Sequence, residues 1–142
     1  MEAVVNKWLA AFRKVDTYIN RAIVENREEI LDLNVAQLRQ GKDSLGQFLQ
    51  DYASKDYAEY KKFMGSQAPL WTPDLILEGG FTEGFILKKE GMEFRFDSTD
   101  EKKDELAHKY GDEIFGLSLE SQREITPDLA LSFLKHFRNG LL

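Results

Sequence analysis

The sequence predicts an α+β fold: a long amino-terminal amphipathic helix, a small antiparallel sheet built on one β-hairpin, and carboxy-terminal helices packed on one side. Three observations carry this. Through the first 25 positions apolar residues recur at three- and four-residue steps, which is the helical period. Between about residues 80 and 97 they alternate on either side of Lys89-Glu90-Gly91, the pattern of a hairpin. Downstream, capping residues and glycine stops mark further helices. Strands and helices segregated in this way favour an antiparallel sheet with helices on one side. The chain, 1–142, reads as a single domain, because no repeat, low-complexity run or linker divides it.

The elements follow in order. Val4, Val5, Trp8, Leu9, Phe12, Val15, Ile19, Ala22 and Ile23 form the stripe of a helix over residues 3 to about 25. The next stretch reads two ways. Ile30, Leu31, Leu33, Val35 and Leu38 could continue a helix after Asn26, or Leu31, Leu33 and Val35 could alternate with Asp32 and Asn34 as a half-buried strand. The favoured expectation is a break near residue 27 and a strand over roughly 30–38. Gly41-Lys42-Asp43-Ser44-Leu45-Gly46 is a loop by composition. Ser54 to Met64 forms a short helix ended by Gly65, and Pro69 and Pro73 then bracket Trp71 in an extended loop.

In the hairpin, strands are expected near 80–88 and 92–97. Phe81, Phe85 and Leu87 share one parity, and Met92, Phe94 and Phe96 alternate with Glu93, Arg95 and Asp97. Gly79, Gly80 and Gly84 crowd the first strand, which suggests a bulge or a close neighbouring backbone. Ser98 and Glu101 have the spacing of a capping box for a helix running to Tyr110 and stopped by Gly111. A short turn over Ser118–Arg123 precedes a final helix with Thr126 as N-cap, Pro127 at its first position and Gly140 beyond its end. Leu129, Phe133, Leu134 and Phe137 make its apolar stripe.

Composition excludes several function classes. Without cysteine there are no disulfides and no thiolate metal sites. No apolar run approaches the roughly 18 residues of a membrane span, and Glu2 and Lys7 interrupt the first apolar residues, so these do not read as a signal peptide. The formal net charge is −6. The densest basic pairs, Lys61–Lys62, Lys88–Lys89 and Lys102–Lys103, have acidic neighbours, which disfavours sequence-specific nucleic-acid binding.

Catalytic patterns are missing too. His108 and His136 each stand alone on a predicted helix, and no Gly-x-Ser-x-Gly elbow occurs. Gly41-Lys42-Asp43-Ser44 fails as a phosphate loop, because Ala36 stands where the first glycine belongs and Asp43 where the hydroxyl belongs. Asp97, Asp100 and Glu101 could bind a hard cation, but they lack the spacing of a calcium loop, and a helix cap explains Ser98 and Glu101 without one. The expectation is a non-enzyme with no cofactor and no metal. Trp71 and Leu70, in the proline loop, are candidates for exposed anchors in a protein–protein contact.

Several runs are familiar in combination. They are Leu38-x-x-Gly41-Lys42-Asp43-Ser44-x-Gly46, Tyr52, Tyr57-Ala58-x-x-Lys61, and Pro73-Asp74-Leu75-x-Leu77-x-Gly79-x-Phe81 with Gly84-Phe85. Asp97-Ser98-Thr99-Asp100 and Lys109-Tyr110-Gly111-Asp112-x-Ile114-Phe115-Gly116-Leu117 complete the series. In this order, over roughly residues 33–120, the chain resembles small structural proteins of tailed bacteriophages, especially those of Bacteroidetes phages and prophages. Its layout is similar to head–tail connector, tail-completion or virion-morphogenesis proteins. Glu78-Gly79-Gly80 departs from that pattern, which usually has a small hydroxyl residue before the glycine.

The resemblance implies a non-enzymatic virion protein, made in the bacterial cytoplasm and placed at the head–tail junction. It implies a homo-oligomeric ring of six or twelve copies, contacting portal and tail proteins and no membrane. Interface candidates are Gly41, Lys42, Asp43 and Leu45 in the first loop, Leu70 and Trp71 in the proline loop, and Tyr110, Ile114 and Phe115. The competing expectations are a small regulator that binds one partner protein and a metal-dependent enzyme with an unrecognised site.

Overall fold

Helix formation begins at the first described residue and runs almost unbroken to position 39. In a computed structural model, residues 2–76, 80–91 and 93–142 are described; Leu77, Glu78, Gly79 and Met92, named above, lie outside them. The leading helix is two segments, α1 (Glu2–Arg13) and α2 (Val15–Glu25), separated at Lys14. A third segment, α3 (Arg27–Arg39), follows across Asn26.

The strand expected over 30–38 is therefore a helix. Ile30, Asn34, Gln37 and Leu38 are its buried residues, at the spacing of one helical face. Two of those four are amides, so hydropathy alone hid the stripe. Leu31 and Val35, which seemed to alternate, are i,i+4 neighbours packed against the core.

Two expected features of the middle of the chain hold. Ser54 caps α4 (Lys55–Phe63), its hydroxyl accepting from the Tyr57 amide at 3.3 Å, and Gly65 follows with φ 94°. A hairpin joins β1 (Phe85–Glu90) to β2 (Glu93–Ser98), with Phe85 opposite Ser98 and Leu87 opposite Phe96. The first strand starts later than expected, because Gly80–Glu83 makes a single helical turn, α5. Gly84 lies where a side chain would press on Ser98 and Thr99, the close approach anticipated for a glycine here.

The capping box does not form. Ser98, at the buried end of β2, instead donates its hydroxyl to the Phe81 carbonyl at 2.8 Å and accepts from the Asp100 amide at 3.1 Å. Helix α6 (Lys103–Tyr110) starts later and ends at Gly111, φ 93°. A 3₁₀ turn spans Asp112–Ile114.

The two helical pieces expected at the carboxy end are one helix, α7 (Leu119–Leu141), with Ser118 as N-cap and Pro127 inside it. Proline removes the hydrogen bond to the carbonyl four residues back, here that of Arg123. Pro127 and Arg123 are both exposed, so the freed carbonyl lies on the solvent face of the helix. Gly140 is helical and does not terminate α7; a Cβ there would collide with the Tyr18 phenol.

Leu38, Leu49, Phe81, Phe85 and Ile114 form the main core, with Leu106, Ala107 and Tyr110 of α6 packed on it. Phe81, Phe85 and Phe115 meet there as a ring trio with centroids 4.9–5.7 Å apart. The fold is α+β, with α6 on the sheet core. The other carboxy-terminal helix, α7, packs along α2, with smaller contacts to α1 and α3.

Candidate protein interface

Three loops remote in sequence meet at the end of α3. Gly41 adopts φ 77°, and any side chain there would strike the Thr72 methyl, so glycine lets the first loop pass under the proline loop. Asp43 shapes this first loop by accepting from the Leu45 amide at 2.9 Å and the Gln47 amide at 3.0 Å. The Ser44 amide donates to the Glu113 carbonyl at 2.8 Å, which ties in the segment after α6. On the other side, the Tyr52 amide donates to the Trp71 carbonyl at 2.7 Å.

Two amides on α3 brace this junction from beneath. Asn34 donates to the Ile114 carbonyl and accepts from the Gly116 amide, both at 3.0 Å. Gln37 donates to the Gly116 carbonyl at 2.9 Å and accepts from the Ser118 amide at 2.7 Å. Each side chain uses both of its polar ends, so together they satisfy four backbone groups between Ile114 and Ser118. A second brace is the buried ion pair between Lys61 of α4 and Asp74, whose carboxylate also accepts from the Ile76 amide at 3.1 Å.

The proposed interface residues separate by burial. Leu45 is 66% exposed, Trp71 is 36% exposed, and Leu70 is also accessible. Lys42 and Asp43 are half-buried; Lys42 lies 5.4 Å from the Phe48 ring centroid. Gly41 is buried, and Ile114 is 0% exposed at the centre of the core. Tyr110 and Phe115 are partly buried and pack against that core. These last four hold the loops in place and offer little or nothing to a neighbour, because the side chains that make a loop rigid are consumed inside it.

The sequence reading passed over other exposed apolar groups. Phe48 and Met64 are exposed, and Phe63 is 87% exposed. Larger still is the surface on the helix pair made by α1–α2 and α7. Trp8, Phe12, Tyr18, Phe133 and Phe137 join the helices through ring contacts at 5.6–6.5 Å. Beyond them Val4, Val5, Leu9 and Ile19 remain exposed. The available signal was the width of the α1 stripe, which exceeds what one partner helix covers.

A cleft of about 660 Å³ opens between α4 and α6, lined by Tyr52, Tyr57, Lys61, Glu105, Lys109 and Tyr110. Burial raises the pKa of the Tyr52 phenol well above its ordinary value, and the Asp74 charge raises it further. Asp97, the strongest of the cation candidates, accepts from the Ser98 amide at 2.8 Å and pairs with Lys103 at 3.0 Å. The Ser98 bond and then Lys103 hold its carboxyl below the usual range. His136 approaches Glu25 at 2.6 Å across the helix pair. Among the described residues no three His, Asp or Glu gather as a metal site, and no helix is long and apolar enough to cross a membrane.

No protein-family model matches this chain, and neither a curated protein nor a solved structure matches it.

Proposed function

We propose that this chain is a structural subunit of a tailed-phage virion at the head–tail junction. It would act by oligomerising, as a ring of six or twelve copies, and by docking loops onto portal and tail proteins. The observation that carries this reading is the convergence of the Gly41–Gly46 loop, the 66–73 loop and the 110–117 segment; the first and last of these lie within the runs that carry the resemblance. A loop serving only as a connector needs no buried scaffold. These are braced by Asn34, Gln37 and the Lys61–Asp74 pair while keeping Leu45, Leu70 and Trp71 accessible. Rigid presentation of apolar and aromatic anchors lowers the entropic cost of docking.

The test is assembly in the presence of portal and tail proteins. Trp71→Ala is expected to leave the fold intact and to reduce incorporation into particles by at least roughly tenfold, the effect of losing an interface anchor. A folded Trp71→Ala protein that enters particles at the wild-type level would remove this loop from the reading. A persistent monomer that captures a cellular protein in place of portal or tail components would favour the regulator instead.

A further inference from the structure

The two ends of the helix pair differ in charge. Residues 2–25 and 129–142, the distal half, hold Lys7, Arg13, Lys14, Arg21, Lys135 and Arg138 against Glu2, Asp16 and Glu25, a net charge of +3. The rest of the chain therefore carries −9, for a total of −6. The distal half also carries the uncovered apolar ridge, in which Leu9 is 47% exposed and Val4 and Val5 are exposed too.

At the other end lies a shallow groove of about 240 Å³ between α3, the Gly41–Gly46 loop and the start of α7. Leu33, Leu45 and Leu119 give it an apolar floor, and Glu120 and Glu124 make its rim acidic, with Lys42 the one cation among the lining residues. Leu45 and Leu119 are both exposed there. The 23 residues of α7 separate groove and tip by roughly 35 Å at 1.5 Å per residue. One molecule thus has an apolar, basic tip and an apolar, acidic groove too far apart to meet each other.

We infer that the distal tip of one copy docks in the groove of a second copy, head to tail. Charge selects this pairing. Tip against tip opposes two surfaces of net positive charge, and groove against groove opposes two acidic rims, whereas tip against groove brings opposite signs around apolar contact. A contact between two different patches is heterologous, so each copy keeps one free tip and one free groove, and repetition closes a ring if the rotation allows. The like-charge crowding on the acidic half supports the same pairing. Glu29 has its pKa raised by a hydrogen bond with Asp128, then by slight desolvation and by the charges of Asp128 and Glu124, and Glu124 is on the groove's rim. The inference rests on the assembly reading for its occupant, but it is tested on the purified full chain alone.

The experiment is a mixing test by sedimentation velocity and native mass spectrometry. Wild type is expected to show concentration-dependent species above monomer that salt weakens. A tip variant, Val5→Asp with Leu9→Asp, and a groove variant, Leu45→Asp with Leu119→Asp, are each expected to stay monomeric. Mixed in equal amounts they should form a complex of one copy each, because each retains the surface the other lost. All four positions are exposed, and matching circular dichroism spectra would exclude unfolding as the cause. As a second measurement, Lys7→Glu with Arg13→Glu should weaken self-association at least roughly tenfold and be rescued by a copy carrying Glu120→Lys and Glu124→Lys. Monomeric wild type overturns the inference, whether or not it sediments with phosphatidylserine vesicles. So does a self-associating wild type whose two variants fail to complement. Complementation without incorporation into particles would sink the virion reading and leave this contact standing.

Discussion

At Lys61 an ammonium is held out of water by a single carboxylate, that of Asp74, and both side chains are almost fully buried. Removing one member strands the other's charge, which costs more than the pair contributes. Lys61→Met and Asp74→Asn are each expected to lower unfolding free energy by about 3–5 kcal/mol, measured by urea denaturation. The double replacement should cost distinctly less than the sum, and additive losses would refute the pairing. Two carboxylates, the exposed Glu29 and the half-buried Asp97, have opposite pH signs. The raised Glu29 pKa means the folded state binds that proton more tightly, so its contribution falls as pH rises from the ordinary 4.5 through the raised value. Asp97 is depressed, so its contribution is present above the ordinary 3.8 and is lost as pH falls through the lowered value. Glu29→Gln should raise the melting temperature at neutral pH and flatten its decline between about pH 4 and neutrality. An unchanged profile would show that Asp128 does not press on Glu29. None of these pairings was legible in the sequence, where Lys61 and Asp74 are only two charges separated by a glycine and two prolines.

Among the elements, the helices were read well where the buried face is apolar and poorly where it is polar. The α1–α2 stripe consists of Val, Leu, Trp, Phe and Ile and was evident. The buried face of α3 contains Asn34 and Gln37 because it faces the bare backbone of 114–118, and a hydropathy pattern cannot report a partner 80 residues away. In α7, Thr126-Pro127 looked like a helix start because proline favours the first turn. Packing against α2 and α3 outweighs its cost, and the exposed position limits that cost. Proline in a helix interior costs about 3 kcal/mol, while its stiffening of the unfolded chain returns only about 0.4–1 kcal/mol. Pro127→Ala is therefore expected to stabilise the protein by up to about 2–2.6 kcal/mol, read from the urea midpoint at unchanged m-value. A lower midpoint would mean that the proline orders the unfolded chain more than it weakens α7.

For the whole molecule, the α+β class, the hairpin turn at Gly91, the short helix ended by Gly65 and the helix stop at Gly111 followed from the chain itself, because each depends on residues within a few positions of one another. The interface candidates were half legible. Leu45, Leu70 and Trp71 are accessible, but Gly41 and Ile114 are not, since glycine and isoleucine look the same in a sequence whether they present a loop or anchor it. What only the tertiary structure decided is which distant segments share a surface. It brings Glu113 to Ser44, Trp71 to Tyr52 and Gly116 to Gln37, and it separates a basic tip from an acidic groove along one helix pair. Local pattern is set by short-range sterics and hydrogen bonding, which the sequence carries in full. The composition of a surface depends on long-range packing, in which a residue's role is fixed by neighbours that its own segment does not contain.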